Sequence, residues 1–190
     1  LISIRNPIER AHSAYFSYQF MRSTKQNFME MIKDHQKLIN EGVFYLDSIL
    51  ESGFYTKNIL RFQNAFGKEN IKIIIFEDYI KNTESSIRSI LNFLGLNEYI
   101  HFDEQPKGSY RIPKNFISKS LLNNKNFRKL STFLIPTVMR QKLGDKYFLK
   151  QGKKPEMLES ERNYLKELYN NEVIQLERFL GKKLPWNDFH

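Results

Sequence analysis

Cysteine is absent from the 190 residues, which excludes disulfides, thiolate metal ligands and a cysteine nucleophile and suits a reducing compartment. The four histidines are scattered and make no metal-binding box. None of the eight glycines belongs to a G-x-x-x-x-G-K-[ST] turn, so the loop that defines small-molecule kinases of the P-loop class is missing. No apolar run approaches the ~20 residues needed to cross a bilayer, and the opening residues lack the charged-then-apolar pattern of a secretory leader. Gly/Ser linkers and internal repeats are missing too. What remains is 41% hydrophobic and 14% aromatic, enough to bury one substantial core, and the length predicts one domain or one with a small extension.

Acidic residues are scarce in one region. The formal charge is +9, and the stretch from Lys107 to Lys154 holds thirteen Lys and Arg against Asp145 alone, so this segment carries +12 and everything else −3. A block of one sign draws anions: a phosphorylated cofactor, an anionic acceptor, nucleic acid or a lipid surface. Most of these side chains read as a solvated helical face. A nucleic-acid-binding module would use the same block, but no such motif occurs, and the aromatics stand mostly at core spacing rather than among the lysines.

The hydrophobic pattern predicts helices over 7–21, 27–38, 45–51, 55–66 and 83–93, and strands over 1–5 and 71–76. Beyond Leu96 it predicts no regular element until a helix near 116–122 and another near 127–143, broken by Pro136. Leu165, Leu168, Tyr169, Val173, Leu176 and Leu180 repeat at helical spacing up to Gly181, marking a final helix whose stripe is core.

The first segment, Leu1-Ile2-Ser3-Ile4-Arg5-Asn6-Pro7, reads as a strand buried on both faces, with Arg5 at its C-terminal tip. Asn6-Pro7 closes the strand and opens a helix, since proline is tolerated at the first helical position. Ser13 lies about two turns in. Ligands of open α/β sheets collect at the carboxyl ends of strands, so a guanidinium there and a hydroxyl on the next helix can converge on one anion, aided by the helix N-terminus.

Strand, Arg5-Asn6-Pro7, then Arg10-Ala11-His12-Ser13 resembles the 3′-phosphate-binding segment of sulfotransferases that use 3′-phosphoadenosine 5′-phosphosulfate (PAPS). The resemblance continues in order through Gly53-Phe54-Tyr55, Phe66-Gly67, the strand ending in Phe76, Glu77-Asp78, Asn92 to Leu96, Lys107-Gly108-Ser109-Tyr110, Lys153 to Met157, Arg162, Tyr169 and Leu184-Pro185-Trp186. It is similar to the heparan-sulfate type and its bacterial relatives. It implies an α/β fold of the P-loop-NTPase-like kind, three αβα layers about a parallel sheet, here partial and helix-rich.

By the same resemblance, Arg5 and Ser13 hold the 3′-phosphate, and the loop Lys150-Gln151-Gly152-Lys153 closes over it. Tyr110 stands by the adenine, while Lys107, Gly108 and Arg111 are the alternative phosphate loop. PAPS is the co-substrate and no metal is implied. The acceptor is a hydroxyl or amine of a glycan, a lipid headgroup or a small molecule, and no nucleic-acid partner is expected. His12, beside Ser13 on a helix, points elsewhere and reads as a surface or core histidine.

Departures from the family pattern bear on these expectations. The disulfide of the vertebrate-type enzymes has no counterpart, and Ala14 and Ser17 stand where some relatives carry a histidine and a tryptophan. The glycine-rich turn for the 5′-phosphosulfate and the catalytic base precede the arginine in the family, so no catalytic residue is assigned and the chain reads as the C-terminal portion of one domain. That portion divides into a sheet-bearing part (1–96), a basic segment (97–157) and a final helix with its tail (158–190). A bacterial, cytoplasmic location is expected.

Overall fold

A computed structural model describes residues 1–22, 25–43, 48–96 and 110–190, without the side chains at 20–22, 111, 119, 123, 125, 128, 138, 141 and 145. Asparagine starts many of its helices. β1 (Ile2–Ile4) runs into α1 (Pro7–Arg22), where the Asn6 Oδ1 accepts the Ile8 N–H at 3.0 Å. Asn27 and Glu30 form a reciprocal capping box at the head of α2 (Phe28–Asn40). α3 (Tyr55–Phe66) leads to β2 (Ile73–Ile75), α4 (Phe76–Lys81) and α5 (Thr83–Phe93), the last capped by Asn82. Beyond them come β3 (Arg111–Pro113), then α6 (Phe116–Asn123) and α7 (Lys125–Leu134), capped by Asn115 and Asn124. α8 (Thr137–Leu143), β4 (Leu149–Gln151) and α9 (Glu159–Leu180) complete the order, and α9 stops at Gly181.

The described residues fall into two compact units. In the first, residues 1–96 with 157–190, β1 and β2 pair in parallel with Ile2 opposite Ile73 and Ile4 opposite Ile75. α1, α2 and α3 lie in the connection between the two strands, as a parallel pair requires a long crossover. Ile8, Ala11 and Tyr15 of α1, Phe28, Met31 and Ile32 of α2, and Leu165, Tyr169, Val173 and Leu176 of α9 build the core with Ile4, Ile75 and Trp186. Each helix contributes the residues that recur every three to four positions on one face.

In the second unit, β3 and β4 pair antiparallel, with Arg111 opposite Gln151 and Pro113 opposite Leu149.

Several expectations are corrected. Instead of a helix over 45–51, the described part has a turn at 49–50 and a 3₁₀ turn at Glu51–Gly53, while 44–47 lie outside the described residues. The Ser48 hydroxyl accepts the Leu50 and Glu51 N–H groups at 3.3 and 3.1 Å, a local alternative to the helical ladder. The second strand ends at Ile75, and Phe76 opens α4, with Glu77 and Asp78 in its first turn. β1 is buried at Ile4 only: Ser3 is exposed, and so is Leu1 at 57%. β3 and β4, three residues each, fall where no regular element was expected, being too short to register as a period.

Candidate functional site

The tip of β1 is pinned through its backbone. The Tyr55 hydroxyl donates to the Arg5 carbonyl at 2.8 Å and accepts the Arg5 N–H at 3.3 Å. Burial raises the Tyr55 phenol above its ordinary range, so it stays protonated and able to donate. Beside it, Gly53 is required by close approach: a Cβ there would stand 2.8 Å from the Tyr169 hydroxyl and ring. The Tyr169 hydroxyl donates to the Leu50 carbonyl at 2.8 Å, and its phenol is pushed far up by burial. Gly53, Phe54 and Tyr55 thus fit between α9 and the strand tip.

The turn after Arg5 is held by carboxylates. The Asn6 N–H donates to Glu77 Oε1 at 2.9 Å, and the Trp186 Nε1–H donates to Glu77 Oε2 at 3.0 Å. The Asn6 Nδ2 donates to Asp188 Oδ2 at 2.7 Å. Arg162 bridges Asp188 Oδ1 at 2.6 Å and Glu9 Oε1 at 2.8 Å, and the Asp188 hydrogen bond raises its pKa further. The chain tail, α9, α1 and the first turn of α4 therefore meet around one turn.

Three arginines surround this turn, and their engagements differ. Arg162 is committed to two carboxylates, and an Arg10 Nη2–H donates to the Ile49 carbonyl. The Arg5 guanidinium lies 4.9 Å from the centroid of the Phe76 ring and, among the described residues, meets no hydrogen-bond or ion-pair acceptor. Ser13 is half-buried on α1, and among the described residues its hydroxyl has no partner either. His12 is buried, with its ring 5.0 Å from Phe16 and 5.1 Å from Phe28, as expected of a core histidine.

The other expected site residues belong to the second unit. The two basic loops read as alternatives are joined: the Gly152 N–H donates to the Tyr110 carbonyl at 2.9 Å, extending the β3–β4 pair. Gly152 has an internal reason, since a Cβ there would meet Ile112 Cγ2 at 2.9 Å. Its N–H is committed to Tyr110 rather than directed outward. Lys150 is exposed, and Lys153 pairs with Glu156 at 2.9 Å on the surface. Lys107 and Gly108 lie outside the described residues, as does the Arg111 side chain.

Sequence reasoning placed Tyr55, Glu77, Arg162 and Trp186 in family-like segments without a role. Asp188 gave no signal, because its partners Asn6 and Arg162 are distant in sequence. Among the described residues no cluster of His, Asp and Glu has metal-binding geometry, and no helix is long and apolar enough to cross a membrane.

A family model described as "Sulfotransferase domain" matches residues 1–176. A solved structure of a sulfotransferase from Alicyclobacillus acidocaldarius is similar in fold: TM-score 0.60 at 19% identity, over 96% of this chain. The chain spans about half of that protein's length, 54%. A search of curated proteins finds no match.

Proposed function

Because the chain belongs to the sulfotransferase domain family, we infer that its Arg5 and Ser13 grip the 3′-phosphate of PAPS while a sulfuryl group passes to an acceptor hydroxyl or amine. The observation that carries this reading is Arg5 itself: its backbone is pinned at the carboxyl end of a parallel strand, and no protein acceptor engages its guanidinium among the described residues. A phosphate dianion fits such a group, with charge-assisted hydrogen bonds from the guanidinium and one from the Ser13 hydroxyl. Tyr110 would stand by the adenine. Lys150 and Lys153 would add positive charge, with Lys107, Gly108 and Arg111 as the alternative, and Gly152 would shape the loop.

In the transfer, the acceptor oxygen or nitrogen forms its bond to sulfur as the bond from sulfur to the bridging phosphate oxygen breaks. Adenosine 3′,5′-bisphosphate leaves, and the acceptor proton goes to a base. Positioning and electrostatics supply most of the rate, by analogy with phosphoryl transfer. Neither Glu77 nor His12 is offered as that base: both Glu77 oxygens hold donors, and His12 is packed among aromatic rings. The sequence contains no glycine-rich turn for the 5′-phosphosulfate, and in this reading neither that turn nor the catalytic base is assigned to a residue of this chain. The acceptor class, with a glycan as one candidate, follows from the family alone.

Calorimetric titration tests the reading. Adenosine 3′,5′-bisphosphate should bind at least about tenfold tighter than AMP, the worth of a charged contact of about 1.4 kcal/mol or more. Equal affinities would remove the assignment. The 190-residue chain alone should not turn over PAPS with any acceptor, and robust turnover would show that the missing chemistry lies within it.

A further inference from the structure

We propose that residues 116–148, the helical part of the second unit, form a peripheral docking surface for an anionic lipid bilayer. This segment has seven Lys and Arg against Asp145 alone. Every large apolar side chain that is fully buried in the described structure belongs to the other unit; that unit also leaves some in water, but among the described residues none is as exposed as Phe116 (83%) and Phe133 (87%) here, which stand with exposed Ile117, Leu130, Leu134, Met139 and Tyr147. Short cationic helices that keep large apolar side chains in water have the composition of interfacial helices, whose apolar face enters the headgroup and acyl boundary while lysines remain at the charged surface.

α7 shows the arrangement. Phe127 turns inward, its ring 6.3 Å from that of Phe148, while Leu130, Phe133 and Leu134 are exposed and Lys129 is exposed alongside. At ten residues this helix is about 15 Å long, too short to cross a bilayer and suited to lie in its plane. Lys142 and Lys146 add exposed charge from α8 and the turn that follows. Charge complementarity selects the occupant: a zwitterionic surface would leave these cations uncompensated, and nucleic acid would leave the phenylalanines and leucines in water.

The test is co-sedimentation of the protein with vesicles of phosphatidylcholine alone and of phosphatidylcholine with phosphatidylglycerol. Binding should occur to the anionic vesicles, fall with added salt, and be weak to the zwitterionic ones. Phe133→Asp with Leu134→Asp should lower partitioning by about tenfold or more, and Lys129→Glu with Lys142→Glu should lower it while leaving the thermal midpoint unchanged. Three results would each overturn the proposal. One is equal binding to both vesicle types, and another is undiminished binding by the double Asp variant. The third is vesicle-free self-association that the double Asp variant abolishes, which would make the face an interface between copies.

Discussion

A methyl group at position 53 would press on the Tyr169 ring at 2.8–2.9 Å, and that ring cannot retreat without breaking its hydrogen bond to the Leu50 carbonyl. Gly53→Ala is therefore expected to destabilise by about 1–3 kcal/mol, the range of core overpacking, measurable as a lower urea midpoint with an unchanged slope. His35 offers a second single-residue test. Its Nδ1 accepts the Ile49 N–H at 3.0 Å, and burial lowers its pKa below the ordinary histidine value, against the opposing pull of Asp34. The unfolded chain then takes up a proton before the folded one does. The contribution is fully present above about pH 6.5 and lost as pH falls through the lowered value. Comparing urea midpoints at neutral and mildly acid pH, His35→Gln, which keeps an acceptor for Ile49 but does not titrate there, should show a shallower acid-side loss.

Among the elements, α3 begins without a side-chain cap of its own. Glu172 of α9 supplies one, its Oε1 accepting the Thr56 N–H at 2.7 Å and the Thr56 hydroxyl at 2.8 Å. Glu172→Ala should cost about 1–2 kcal/mol by leaving a helix-start donor unmet, read from chemical denaturation. Glu77 does comparable work between α4, the turn after β1 and the tail. Glu77→Gln offers one acceptor to two donors, so it should loosen the Arg5 turn and weaken adenosine 3′,5′-bisphosphate binding, whereas a surface change such as Glu84→Gln should not. The helices were the most legible part: α1, α2, α3 and α5 begin and end within two residues of expectation, and α9 stops at Gly181 as expected. Ser48 illustrates what stayed hidden, because a single hydroxyl turned apolar spacing into a turn. Spacing singled out Arg5 and Ser13 as candidates, but the contacts of Tyr55, Glu77, Asp188 and Arg162 around the Arg5 turn were not legible, since each joins residues far apart in sequence.

At the scale of the molecule, the first unit holds the hydrophobic core and the Arg5 turn, and the second concentrates cations on short elements. A nucleotide that binds only the folded chain should raise the thermal midpoint, with about 2.7 kcal/mol of added stability at a hundredfold excess over its Kd. The account rests on Arg5 meeting the 3′-phosphate, and a cycle over protein and ligand isolates that contact. Affinities of adenosine 3′,5′-bisphosphate and of AMP are measured for the unmutated protein and for Arg5→Ala. The expected coupling between the arginine and the 3′-phosphate is about 1.5–3 kcal/mol, with the ligand preference lost in the variant. A coupling near zero, with Arg5→Ala weakening both nucleotides equally or neither, would contradict it.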